Sequence, residues 1–401
     1  MTPTRWLRQR EGELQEDVAD LARIGSHASE PEGVERVARY VIDRLEPIGF
    51  SFEARPQPPQ PAPGWLTAIF SPDVPYESLA STYVGRRGHG GAHLLLLADL
   101  DTAFPPEVFA RFPVRGDGDR LFGPGVADMK GGLVVLTAAL RALAACDIDT
   151  APILVVLAGD EQAGSLGSRS SIEEAARGAA WCLCMECARD GGKLMASRAH
   201  IGVGRIVAHG REAHAGSAFA DGVNAVNALA RALVAVAEVS VPERGILVSA
   251  TIVRGGRRRS LIPAEAEAVL DVRTPNQAAW NEVAGQLAEI IGLRRRHGDL
   301  LELDLHAHRP GLPWTPGTDR LLEMAQAAGA SIGLDVQAQS SPASGSSAFV
   351  AGSGVPTLDG MGPLGARLMT YDENIELESI VERAALLALL IQRLPEYPAP
   401  T

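Results

Sequence analysis

Cysteine is scarce in this chain, with four in 401 residues, at positions 146, 182, 184 and 187. That is too few for a disulfide scaffold and fits a reducing compartment. Three of them crowd into CLCMEC, which lacks the fourth ligand and the paired spacing of a structural zinc site. Cys182 and Cys184 read instead as one face of a buried strand. Long hydrophobic runs are missing too: none approaches the roughly 20 residues of a membrane-spanning helix. The opening MTPTRWLRQREGELQED has no apolar core of a signal peptide, so a cytoplasmic location is the expectation. Positive charge is in deficit, and a net charge of -12 argues against general nucleic-acid binding, which needs basic surface to neutralise phosphates. Internal repeats and low-complexity tracts are absent.

What is present is an alternation of helical and strand patterns. Apolar residues at helical spacing run over 13–46, with Leu14, Val18, Leu21, Val34, Val37, Val41 and Leu45, and a loop at Gly25–Gly33 splits them into two helices. Residues 54–64 are proline-rich and read as a loop. Continuous apolar runs at 92–98, 152–158 and 180–185 predict strands buried on both faces, with a Leu- and Ala-rich helix over Met129–Ala145 between the first two. This predicts an α/β domain with an open sheet covered by helices. Residues 200–310 follow the order βαββαβ of a ferredoxin-like sandwich and read as an insertion. The larger domain is then discontinuous, 1–199 with 311–401, and closes with a helix near 377–394.

Acidic residues sit where apolar strands end: ADLDT at 98–102, GDEQAGSLGS at 159–168 and Glu186 in CMEC, joined by GPGVADMKGG at 123–132. Open α/β sheets bind ligands at the carboxyl ends of their strands. Several carboxylates converging there point to a metal or to acid–base chemistry.

In this order and spacing the segments resemble the zinc aminoacylase and carboxypeptidase family, which includes glutamate carboxypeptidase, acetylornithine deacetylase and succinyl-diaminopimelate desuccinylase. GREAHAG at 210–216, SLIPAEAEAVLDVR at 260–273, RPG at 309–311 and GVPTLDGMG at 354–362 extend the likeness, which covers about residues 14 to 394. The resemblance implies an open mixed sheet, an inserted lid and dimerisation domain, and a two-zinc site. It also shows where this chain departs from that pattern. Asp99 stands where the first histidine ligand belongs, and Asp101 matches the acid that orients it. Asp128 matches the aspartate that bridges both zincs. Glu161 keeps the general-base position, Gln162 replaces the carboxylate ligand beside it, Glu186 matches the next ligand, and Met369 stands at the last histidine. Three of the five metal positions have therefore changed. An amide and a thioether are poor zinc ligands beside imidazole and carboxylate. The remaining trio, Asp99, Asp128 and Glu186, offers hard oxygen donors that suit one magnesium, manganese or calcium ion. Ahead of that stands an empty site with one carboxyl protonated to relieve repulsion, so the first expectation is no cofactor and the second a single divalent ion.

Other positions carry implied roles. His214 matches a small-domain histidine that stabilises negative charge on the reacting group, often across a dimer. Arg309 matches an arginine that contacts substrate carboxylate. Ser260 stands near substrate at a position often held by asparagine. The loop Gly345–Ser346–Ser347 has Ser347 where the family has an acid, and reads either as an anion seat or as an ordinary helix N-cap. Arg257, Arg258 and Arg259 form a basic run that reads as a solvated turn. The expectation is a small, anionic, amino-acid-like substrate, with no nucleic-acid or membrane partner and either a homodimer or a partner protein.

Overall fold

The computed structural model describes residues 1–58, 63–70, 74–90, 92–296 and 300–394. Part of the proline-rich loop expected over 54–64 lies outside these residues. The chain divides into two compact units, one of residues 1–197, 314–340 and 345–401, the other of residues 198–313 and 341–344.

The first unit is built on a six-stranded sheet. Its strands are β1 (Ser51–Arg55), β2 (Thr82–Arg87), β3 (His93–Asp99), β4 (Ile153–Ala158), β5 (Ala179–Cys184) and β6 (Thr357–Leu358). The spatial order is β1-β2-β4-β3-β5-β6. Strands β4, β3, β5 and β6 run parallel, whereas β2 pairs antiparallel with both β1 and β4. The sheet is thus mixed, and the α/β class expected from the sequence is found. The central strands are continuously apolar, as in Leu94–Ala98 and Ile153–Ala158, because helices cover both faces. Helices Gly131–Ala145 and Leu377–Arg393 lie in the main core together with Leu96, Val155 and Leu183. Cys182 and Cys184 are both buried in β5.

The parallel strands place their carboxyl ends on one edge. Asp99 in β3 is in register with Ala158 in β4, and Leu97 with Cys184 in β5. The chain leaving that edge carries Asp101, then Asp160 and Glu161, then Glu186. The register therefore brings distant acids to one crevice.

The helix starting at Gly131 approaches the loop after β5 so closely that its second glycine has no room for a side chain. A Cβ on Gly132 would lie 2.0 Å from the backbone oxygen of Met185. Backbone cannot yield as a flexible side chain can. Gly132→Ala should destabilise the protein by about 1–3 kcal/mol or more, read as a lowered thermal midpoint. An unchanged midpoint would contradict the packing described.

The second unit holds strands His200–His209, Leu247–Gly255, Glu265–Thr274 and Leu300–Arg309, with helices Ala225–Ala237 and Gln277–Arg296. All three strand pairings are antiparallel, and the order across the sheet is second, third, first, fourth. That is the ferredoxin-like arrangement. Gly202 and Gly204 keep the helix-facing side of the first strand flat, and a Cβ on Gly202 would lie 1.8 Å from the Trp280 ring.

Candidate active site

The site in the first unit begins with a backbone clamp. Asp101 is buried and accepts two hydrogen bonds, from Glu161 N–H at 2.9 Å and Gln162 N–H at 2.8 Å. The family resemblance assigned this acid to orienting a histidine. With Asp99 in that histidine's place, Asp101 holds the turn that carries Glu161. A second clamp follows at once. Asp160 accepts from Gly167 N–H at 2.7 Å and Ser168 N–H at 3.2 Å, fixing the far end of the same turn.

Asp99, Asp128, Glu161 and Glu186 are all buried. Ser346 donates its hydroxyl to Asp99 Oδ1 at 2.6 Å, while Asp99 Oδ2 is buried and has no hydrogen-bond partner among the described residues. Asp128 lies in the irregular turn Val126–Lys130. Its Oδ1 receives the amide Nε2 of Gln162 at 3.5 Å. The side chain at 162 thus turns a hydrogen-bond donor toward the carboxylate beside which the family pattern has a second carboxylate. Met369 has φ +60° and is 55% exposed.

Electrostatics follow from this crowding. Burial raises the Asp99 carboxyl well above its ordinary range, and the charges of Glu161 and Glu186 raise it further, against the Ser346 hydrogen bond. Burial likewise raises Asp128, followed by Glu186, Glu161 and Glu373, with Arg189 opposing. Asp101 is raised by burial, Glu161 and Asp160, against its two backbone hydrogen bonds. Each shift has the same origin: the charged form is desolvated among like charges.

A folded-state carboxyl raised in this way keeps a proton that the unfolded chain releases above about pH 4. The folded form then binds more protons, so stability falls as pH rises from that point until the folded group ionises. Lys130, lowered to about 7 by burial, acts in the opposite direction, but only above that pH. Between about pH 5 and 7 the protein in chelator should therefore lose thermal stability as pH rises, and Asp99→Asn should flatten the slope. A slope unchanged by that substitution would show that Asp99 ionises normally.

Several residues of this site escaped sequence reasoning. Glu373 is fully buried and accepts N–H groups from Ala127 at 3.0 Å, Asp128 at 3.2 Å and Met369 at 2.9 Å. It ties the loop of Met369 to the turn of Asp128. Burial pushes its carboxyl up to about 7, against those three hydrogen bonds and Lys130. An acid four residues after Met369 was the only available signal. Arg189 was also missed: its guanidinium lies 4.0 Å from Glu186 and lowers the Asp128 carboxyl.

The hydroxyls of Gly345–Ser347 are committed to acids. Ser346 donates to Asp99, and Ser347 donates to buried Asp359. The helix that follows, Ser346–Ser353, has Gly345 at its N-cap with no side-chain cap.

Three expected site residues belong to the second unit. His214 is exposed, and its Nδ1 accepts from Gly216 and Ser217 N–H, each at 3.1 Å. This makes Nε2 the proton-bearing nitrogen. Ser260 is its neighbour across a short ladder: His214 pairs with Leu261, and Ala215 N–H donates to Ser260 O at 2.9 Å. Arg309 ends its strand and is buried. The Arg257 guanidinium pairs with Glu212 at 2.6 Å in exposed surroundings.

Known proteins share this plan. The family model described as peptidase family M20/M25/M40 matches residues 95–393. Carboxypeptidase G2 of Pseudomonas sp. (strain RS-16) is 29% identical over 386 residues, covering 93% of this chain and 87% of that protein. Succinyl-diaminopimelate desuccinylase of Acidiphilium cryptum is 30% identical over 288 residues, covering 65% of this chain and 69% of that one. Among solved structures, a tripeptidase from Staphylococcus aureus superposes with a TM-score of 0.77 at 16% identity, over 96% of this chain and 99% of that one. An M20 family metallo-carboxypeptidase from Sulfolobus solfataricus gives 0.74 at 14% identity, over 96% and 100%. The sequence match spans most of the chain, and the fold agrees with it: the chain belongs to peptidase family M20/M25/M40.

Proposed function

We propose that this chain is an enzyme acting on a small, anionic, amino-acid-derived substrate without the paired zinc ions of a two-metal hydrolase. The observation that carries the reading is the donor set around Asp128. Gln162 presents an amide N–H to Asp128, and Met369 offers at best a thioether on an exposed side chain. Neither suits Zn²⁺ beside imidazole and carboxylate. The relatives, named as a carboxypeptidase and a desuccinylase, support a substrate built on an amino acid.

Glu161 is the general acid or base. Its backbone is fixed by Asp101, so the carboxyl has a defined place from which to take or deliver a proton. His214 supplies an N–H donor, and Arg309 a cation for the substrate carboxylate. Without paired zinc, activation of water for amide cleavage is weak. Proton removal combined with an anion seat suits intramolecular ring closure with loss of a leaving group, elimination, or acyl transfer, as in a biosynthetic pathway. A dimer formed through the inserted unit belongs to this proposal.

A second reading has one observation in its favour. Asp99 Oδ2 is buried without a hydrogen bond among the described residues, and Asp99, Asp128 and Glu186 are all hard oxygen donors. These three would hold one magnesium, manganese or calcium ion, which would polarise a carbonyl group for hydrolysis of an N-acyl amino acid. Elemental analysis of protein purified without added metal, paired with a Glu161→Gln assay, separates the two. A metal-free protein whose activity depends on Glu161 supports the first reading. One hard ion per chain supports the second, and a full zinc pair overturns both.

A further inference from the structure

His214 stands on a short segment of the second unit that few contacts hold. Its strand, Ala213–His214, pairs with Leu261–Ile262 over only those residues. One further bond, from Ala215 N–H to Ser260 O at 2.9 Å, extends the ladder. A two-stranded pairing this short is marginal by itself. The loop that follows His214 closes on its own stem, where Arg211 and Val223 exchange backbone hydrogen bonds at 2.9 and 3.0 Å. Between that stem and the hairpin of Ser260 lies a cavity of about 280 Å³, lined by Glu212 on one side and by Arg257, Leu261 and Pro263 on the other. A void forfeits dispersion contact across it. What joins its two sides is an ion pair: Glu212, two residues before His214, meets Arg257, three residues before Ser260, at 2.6 Å. Among the described residues, neither Arg258 nor Arg259 has a carboxylate within ion-pair distance.

Resting on the reading under Proposed function, we propose that Glu212 and Arg257 are positioning residues for His214. The pair sets the separation between the strand that carries the imidazole and the hairpin that carries Ser260. His214 Nδ1 accepts from Gly216 and Ser217 N–H, each at 3.1 Å. A shift of the strand loosens the contact that decides which ring nitrogen bears the proton. The pair is exposed, so its effect is modest and local and does not extend to global stability.

Hydrogen exchange of the Gly216 and Ser217 amides, with the ring-nitrogen signals of His214, tests this by NMR on the full chain. Glu212→Gln and Arg257→Gln should each speed that exchange about two- to fivefold, the range of an exposed ion pair. Each should also raise the share of His214 protonated on Nδ1 and keep the wild-type thermal midpoint. The double variant should exchange no faster than either single one. Reversing the charges, Glu212→Arg with Arg257→Glu, should restore slow exchange, and Arg258→Gln should change nothing. Unchanged exchange in the single variants, an equal effect of Arg258→Gln, or a reversal that restores nothing would overturn the assignment. Neither readout involves a substrate, so that result leaves the reading under Proposed function standing. Full turnover in His214→Ala would instead remove His214 from that reading and leave the effect of the pair on exchange in place.

Discussion

Replacing Glu161 by Gln should lower turnover by about 10²–10⁴-fold while leaving the protein folded, the range expected for loss of a positioned general acid or base. The substitution keeps size and shape, and the clamp from Asp101 acts on backbone N–H groups that it does not touch. Stability should hold or rise, because Glu161 is one of the charges that raise the carboxyls of Asp99, Asp101 and Asp128. The measurement is a kcat comparison on the natural substrate beside thermal melts of both proteins. A drop in kcat with an unchanged midpoint assigns the loss to chemistry. Retained activity would remove Glu161 from the mechanism, and loss of both activity and fold would make it a structural residue.

The second large effect concerns metal. The triple variant Asp99→His, Gln162→Glu, Met369→His should bind zinc at least about 100-fold more tightly than the wild type, since even outer-shell changes shift metal affinity 10–100-fold. The backbone is compatible with this change. Met369 already has φ +60°, a region in which histidine is enriched among non-glycine residues. Glutamate is isosteric with Gln162 and would place a carboxylate where an amide N–H now faces Asp128. Without metal, the added charge should lower the thermal midpoint, and zinc should restore it. Inductively coupled plasma analysis after gel filtration gives the stoichiometry. If the wild type takes up the zinc pair as readily as the variant, the donor-set argument fails.

The sequence carried the sheet edge and its acids because both depend on local pattern. Strand β3 is apolar from Leu94 to Ala98 and ends on Asp99, while β4 and β5 are apolar throughout and each ends two residues before an acid, Asp160 and Glu186. The βαββαβ order of residues 200–310 was legible for the same reason. Strands β1 and β2 were not. They are only five and six residues long with irregular burial, and β1 runs into the proline-rich stretch. Glu373 was missed because its three partners are backbone N–H groups, two of them 245 and 246 positions away, and a backbone donor leaves no mark on residue identity. Asp101 was noticed by resemblance, without its backbone partners. Resemblance joined it to a side chain, whereas the fold joins it to the peptide groups of Glu161 and Gln162. The loop at Gly345–Ser347 reads either as an anion seat made by backbone N–H groups or as a helix N-cap, and what the sequence does not show is that the hydroxyls of Ser346 and Ser347 face Asp99 and Asp359.

That peptide-level attachment by Asp101 separates address from identity. Position 162 is anchored through its amide nitrogen, so the fold specifies where its side chain begins and leaves open what it carries. A carboxylate can become an amide there, and the neighbouring acid at 161 stays aimed as before.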